Sequence, residues 1–381
     1  MRPLIASLQK SPFRLLFPVG GLTLLAGVLP WLTFALGLGG YLSTFHSVVQ
    51  VQGFLSAFAA GFLFTFIPRR TGKPPPSVVE LALGAALPLL LVIAAWTEAW
   101  LLTQVLWLLL VGVLARFVLV RVTLPSLDGG LVWVPLSLAM GVCGALLVSV
   151  GPRISGGFWL HSAGQALLTQ GMFTGLCLGV GRLLFPVMVH GRRHPAETSR
   201  APLYANALAA LVLFLSFFLE ALVSARAAWS LRAILTGLVV VLGLKALDPP
   251  TQPGLHRRAL WLGAWGIPLG YATMALFPAH RLAGLHVLFI GGFTLMLVGV
   301  SAHLVLSHGG HATLVRGRPL QLRLGLPLLA VALAARVLMS TDPSHLRLWS
   351  GLSSLAFLAA SAAWLWLIAV GLGPPRPGEA R

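Results

Sequence analysis

The sequence predicts an all-α integral membrane protein, a single polytopic domain over 1–381 with twelve transmembrane helices. Three observations predict it. Of 381 residues, 57% are hydrophobic and only 9% are charged, with a mean hydropathy of +0.92. A soluble domain is about a quarter charged, and a chain this poor in charge cannot cover its surface in water. Apolar stretches of about 20 residues, enough helix to cross a bilayer, recur along the whole length. The basic residues, which give a formal net charge of +18, fall singly or in pairs between those stretches, as the positive-inside rule places them. They form no face, tail or arginine-rich segment, so the expected partner is the lipid bilayer and no nucleic acid.

Cutting at proline, glycine and charge clusters gives stretches at 14–38, 44–67, 77–96, 99–121, 129–150, 158–189, 201–223, 227–246, 258–277, 281–306, 319–340 and 346–371. The first begins near Leu15. It is too long for a signal-peptide core and no Ala-x-Ala signal follows, so it is expected to remain as a membrane helix. Little more than Glu98 divides the third stretch from the fourth. The long sixth stretch carries Gly179, Gly181 and Pro186 around Arg182, where a kink is expected. Gly309 and Gly310 end the tenth. Cys143 and Cys177 lie inside apolar runs and read as packing thiols. No disulfide framework is implied, and there is no Cys-x-x-Cys-His.

With the N-terminus placed in the cytoplasm, nineteen Lys and Arg fall on inner segments. Five fall outside: Arg153, Arg226, Arg232, Arg281 and Arg347. Arg182 and Arg336 lie within helices and are expected to snorkel inward and outward. The asymmetry puts both termini in the cytoplasm.

Eleven histidines remain to be placed. His46, His161, His280, His286 and His345 fall on the outer side. His190, His194, His256, His303, His308 and His311 fall on the inner side and read as solvated loop residues, with a second metal site as the alternative. In "HVLFIGGFTLMLVGVSAHLVLSHGGH", His286 and His303 are separated by about 25 Å of helix rise, so they cannot share a metal. His46 opens the second stretch, His161 opens the sixth, and His286 lies about one turn into the tenth. All three stretches enter from the same side, so these rings lie at similar depth. Imidazoles on facing helices can hold a haem iron or a copper ion. His46, His161 and His286 are therefore the candidate metal ligands. Arg153, Arg226, Arg281 and Arg347 are candidate partners for haem propionates.

Small residues share those faces. Gly53, Ala57 and Ala60, with Gln50, lie on the His46 face. Gly175 and Gly179, with Gln165 and Met172, lie on the His161 face, and Gly291 and Gly292 follow His286. They permit close helix approach or a flat ligand. A ring merely resting in the headgroups is the competing reading for each histidine, and the preferred one for His280 and His345. Glu220, near the outer end of the seventh stretch, is the candidate catalytic group. It reads as a proton donor, a second-metal ligand, or simply a partner for Arg226.

Three stretches resemble the NnrS family: "SPFRLLFPVGGLTLLAGVLPWL", "FHSVVQVQGFLSAFAAGFLFTFIPRRTG" and the histidine-rich stretch quoted above. The resemblance implies a haem- and copper-containing polytopic membrane protein linked to nitric oxide and nitrosative stress. His46 and His286 match histidines of the family motifs and are thereby implied as axial ligands. His161 is left for a second metal or the distal side. Val48 and Val49 stand where the family pattern has a second histidine and a glutamate, and His311 stands where arginine is usual. A looser likeness to the catalytic subunit of haem–copper oxidases also places histidine ligands on the second, sixth and tenth helices. However, the seventh stretch has no histidine and Leu288 replaces a second ligand, so a complete terminal oxidase is not expected. The resemblance thus implies b-type haem, with copper as a further candidate, in a bacterial inner membrane. It implies binding or reduction of nitric oxide, with an electron donor the sequence does not name. The rival is a secondary transporter built on Glu220, Arg182 and the Gly/Pro-broken helices.

Overall fold

The computed structural model describes residues 2–123, 127–192 and 199–373. Among them the regular structure is all helical, with twelve helices long and apolar enough to cross a membrane. In chain order they are α1 (Phe13–Ala35), α2 (Ser43–Thr71), α3 (Val78–Trp96), α4 (Trp100–Arg121), α5 (Trp133–Arg153) and α6 (Phe158–His190). They continue with α7 (Ala201–Leu222), α8 (Ala225–Gly243), α9 (Leu255–Leu276), α10 (Pro278–His308), α11 (Ala312–Thr341) and α12 (Pro343–Leu372). Hydrocarbon offers no hydrogen bonds, so each span must satisfy its own backbone, and helix is the form that does so within one segment.

The expected boundaries hold to within a few residues, with one larger difference. The eleventh span begins earlier, because the short helix Ala312–Arg316 leads into Leu320–Thr341 across Gly317. The division at Glu98 also holds. Glu98 takes φ 56°, and the backbone N–H of Ala99 donates to the carbonyl of Ala94 at 2.9 Å, so the chain reverses between Trp96 and Trp100.

Sequential helices pack side by side, and α12 closes on α1. The centre is held by α2, α6 and α10, in which 83%, 67% and 72% of the most apolar stretch is buried in protein. The same share is 28% for α7, α8 and α11, whose leucines face lipid. These three central spans are the ones that carry His46, His161 and His286. Each also contains a π-helical segment just after its histidine: Val49–Leu55, Leu167–Gly171 and Val287–Thr294. A fourth lies at Val239–Gly243, at the end of α8. Such segments add a residue to the turn and re-aim the side chains that follow. In α6 the irregularity therefore falls earlier than the kink expected near Arg182, and the chain stays α-helical through Pro186.

Polar bonds cross between helices where hydrocarbon would leave them costly. Trp107 donates its Nε1–H to Ser56 Oγ at 3.0 Å, and Trp364 donates to Ser301 Oγ at 2.8 Å. Gln52 and Gln104 exchange amide bonds at 2.8 and 3.2 Å. At the end of the bundle where α3 begins, Ser77 and Glu80 form a reciprocal cap, and Glu80 also pairs with Arg116 at 3.2 Å and Arg121 at 3.3 Å. Cys143 and Cys177 are both half-buried and pack against the core as free thiols.

Candidate cofactor cavity

A cavity of about 360 Å³ opens among α1, α2, α6, α10, α11 and α12, at the end of the bundle where the three central helices begin. Its walls are apolar on one side, with Val28, Val51, Phe54, Leu55, Phe289 and Phe357. Its polar groups converge from four helices: His46 and Gln50 on α2, Gln165 and Gln170 on α6, Arg281 and His286 on α10, and Arg336 on α11. An apolar cleft with a few convergent polar groups is the usual form of a small-ligand site.

Two of the three histidines expected to act together meet there. Nδ1 of His46 lies 2.8 Å from the carbonyl oxygen of Gly27, and Nδ1 of His286 lies 2.7 Å from that of Leu282. A carbonyl only accepts, so each Nδ1 carries the proton and each Nε2 is the basic, ligand-forming nitrogen. Fixing one ring nitrogen on a backbone carbonyl is how proteins orient imidazole ligands. Gly27 makes this possible for His46. A side chain there would collide with the Gln50 amide, which donates to the Leu24 carbonyl at 2.8 Å. The Trp31 ring meets His46 edge-on, with centroids 5.5 Å apart. His286 Nε2 accepts a hydrogen bond from Arg336 Nε at 2.9 Å, and the Arg336 guanidinium lies 4.7 Å over Trp31. Arg336 thus does not snorkel outward: it is 9% exposed, in the cavity wall.

The remaining predicted residues are dispersed. His161 does not line the cavity: its Nδ1 faces the Val148 carbonyl of α5 at 3.3 Å. Arg281 lines the mouth, whereas Arg153 folds back onto the Ser149 carbonyl. Arg347 is exposed, 5.8 Å from the Phe34 ring. Arg226 donates to the Ala275 carbonyl at 3.0 Å and is not the partner of Glu220. That partner is Arg232, a guanidinium with no exposure to solvent, at 2.6 Å. Arg232 also donates to Ser216 Oγ and to the Ser216 carbonyl, both at 2.8 Å. The second Glu220 oxygen lies 3.8 Å from Arg281. The carboxylate therefore joins a buried cation to one at the cavity mouth, and it does not itself line the cavity.

Of the two uses open to the small residues, close helix approach or room for a flat ligand, several serve helix contact. A Cβ at Gly175 would meet Ser137, and one at Gly179 would meet Trp133, both on α5. Gly291 and Gly292 face Gly266 of α9, closely enough that a Cβ on Gly266 would strike the Gly291 carbonyl.

A model of the NnrS protein family matches residues 7–376. The chain belongs to the NnrS family. No curated protein matches it. Of the stretches that resemble NnrS, the second and third supply the two cavity histidines. The positions where this NnrS chain departs from the pattern lie away from the cavity. Val48 and Val49 pack with Phe45 and Ala95, and His311 is buried at the other end of the bundle. Leu288, where the oxidase likeness would place a second ligand, is buried against Gly270.

The haem and copper expected from the sequence resemblance fit these residues differently. Two neutral imidazoles with oriented Nε2 atoms, an apolar wall and two guanidinium groups suit an imidazole-ligated haem. Ligation by His286 requires its bond from Arg336 to exchange. For copper, no three of His, Cys, Asp and Glu gather within metal-binding reach among the described residues, so a three-ligand copper set is not assembled.

Sequence reasoning missed Arg336 and Gln170 as cavity residues. The signal was present, since a charge or an amide deep in an apolar run marks a site by default. It also misread the other end of the bundle. His190, His256 and His311 are 6%, 0% and 2% exposed, so they are not solvated loop residues. His256 and His303 bond ring to ring at 3.2 Å between α9 and α10, and Arg257 also donates to His256. Burial there comes from α9 starting earlier than expected, at Leu255. His194 lies outside the described residues.

Proposed function

We propose that this NnrS protein holds b-type haem in the cavity, where His46 and His286 would be the residues that hold it, and binds or reduces nitric oxide there. What carries the reading is the pair of imidazoles from α2 and α10 in one cavity, each with its Nδ1–H engaged by a backbone carbonyl. When bound, the haem iron supplies a site where nitric oxide coordinates. The chain supplies the rest. Gly27 and Leu282 hold the two rings in one tautomer. The phenylalanines and valines of the wall keep water from the ligand. Arg336 donates to His286 Nε2 at 2.9 Å and so would hold that ring in place when no metal takes the nitrogen. Glu220 positions Arg281 at the mouth through the Arg232 pair.

The cavity end is read as the outer face of a bacterial inner membrane, and both termini as cytoplasmic, on the distribution of basic residues. The order of the histidine-bearing central helices, second, sixth and tenth, is what supports a bundle like that of the haem–copper oxidase subunit. A transport reading rests on Glu220 and Arg182, and neither lines the cavity.

Titration of the dithionite-reduced, purified protein with nitric oxide tests the proposal. The expected result is a Soret band that shifts on addition of one equivalent per haem. A protein that takes up no haem, or whose spectrum ignores nitric oxide, would contradict it.

A further inference from the structure

The cavity carries two guanidinium groups, Arg281 and Arg336, and among the described residues no Asp or Glu lines it. Arg281 shares Glu220 with Arg232, so one carboxylate faces two cations. Arg336 has no carboxylate. Its contacts are neutral: His286 Nε2 at 2.9 Å, Met339 Sδ at 3.3 Å and the face of Trp31. Its second terminal nitrogen makes no hydrogen bond among the described residues. A largely buried charge without a counter-charge is disfavoured, and the protein atoms around Arg336 supply none. A second polar group waits in the same cavity. Gln170 is 1% exposed, and its Oε1 has no partner.

We propose that Arg336 binds the anionic part of the cavity's ligand, a carboxylate or a small oxyanion, with Arg281 as the second cation at the mouth. If the anion is a haem propionate, the inference rests on the haem reading. If it is a free oxyanion, it needs only the cavity. Guanidinium suits both sources, because its planar N–H groups match two oxygens of one carboxylate or oxyanion. The outer-loop residues Arg153 and Arg347, away from the cavity, have no part in it. Arg336 then has two states. Without ligand it donates to His286. With ligand it turns to the anion and releases His286 Nε2 for ligation, so anion binding and imidazole release are one movement.

The experiment uses the purified full-length chain in detergent, with Arg336→Gln, Arg336→Lys and Arg153→Gln variants checked for monodispersity. One arm compares haemin with its dimethyl ester, in which both propionates are blocked, by Soret titration. The other measures heat on adding nitrite or acetate to haem-free protein. If a propionate is the anion, wild type prefers haemin to the ester by about tenfold or more, roughly one charge-assisted bidentate contact. Arg336→Gln abolishes that preference, Arg336→Lys keeps part of it, and Arg153→Gln keeps all of it. If the anion is free, nitrite or acetate binds wild type and not Arg336→Gln. Haem uptake without any preference for haemin, together with no anion heat in wild type, overturns the proposal and leaves the haem reading standing, whatever the variants do. Arg336-dependent anion binding by a protein that takes up neither haemin nor ester does the reverse.

Discussion

At the residue scale, depth alone did not decide which histidines act together. His46, His161 and His286 lie in the first few turns of α2, α6 and α10, and that much was legible in the sequence. Depth says nothing about rotation around the helix axis, and the sixth helix turns His161 onto α5. The expected consequence is a split among variants. His46→Ala and His286→Ala should each lose haem or shift it to high spin, because axial ligands set the iron's electronic state. His161→Ala and His345→Ala should leave the spectrum unchanged, as read by low-temperature electron paramagnetic resonance. His345 is a sound control because it serves the loop: it bonds Asp342 at 2.9 Å. Hydrogen bonds from Ser344, then Trp349 and His345, hold the Asp342 carboxyl down at about 2. Glu220 was legible as an unusual intramembrane carboxylate, but its partner was not, since Arg232 lies two turns inside α8. Removing one member of a buried pair costs about 3–5 kcal/mol, so Glu220→Gln should lower thermal stability sharply. Stability within about 0.5 kcal/mol of wild type, the range of a neutral surface change, would show that the pair is not structural.

Element by element, the spans were legible because hydrocarbon demands long apolar helices. The π-helical segments were not. A shift of one residue in the hydrogen-bond register leaves hydropathy and length unchanged, so Val49–Leu55 and Val287–Thr294 read as ordinary helix. Glycines were visible, but their use was ambiguous between room for a ligand and room for a neighbouring helix. The second use holds at Gly266, where a Cβ would strike the Gly291 carbonyl. Overpacking at such a contact costs about 1–3 kcal/mol, so Gly266→Ala should reduce thermal stability measurably. Gly112→Ala, on a face of α4 with nothing within 4 Å, should not. Equal stabilities for the two variants would mean that the α9–α10 contact is loose.

On the scale of the whole molecule, three central helices, each bearing a histidine at its start, are surrounded by nine others. The count and order of helices followed from the sequence, while the central position of α2, α6 and α10 required the packing. The proposed outer-face placement of the cavity rests on the nineteen-to-five distribution of basic residues expected from the sequence. A cysteine replacing the exposed Ser199 should therefore resist an impermeant thiol reagent added from outside, and efficient labelling there would invert the assignment. The claim on which everything else turns is that two histidines hold a haem in this cavity. Haem content per polypeptide in wild type and in the His46→Ala/His286→Ala double variant, each purified and folded, tests it most directly. The account predicts bound b-type haem in wild type and none in the double variant. Equal haem in both would place the cofactor elsewhere and contradict it.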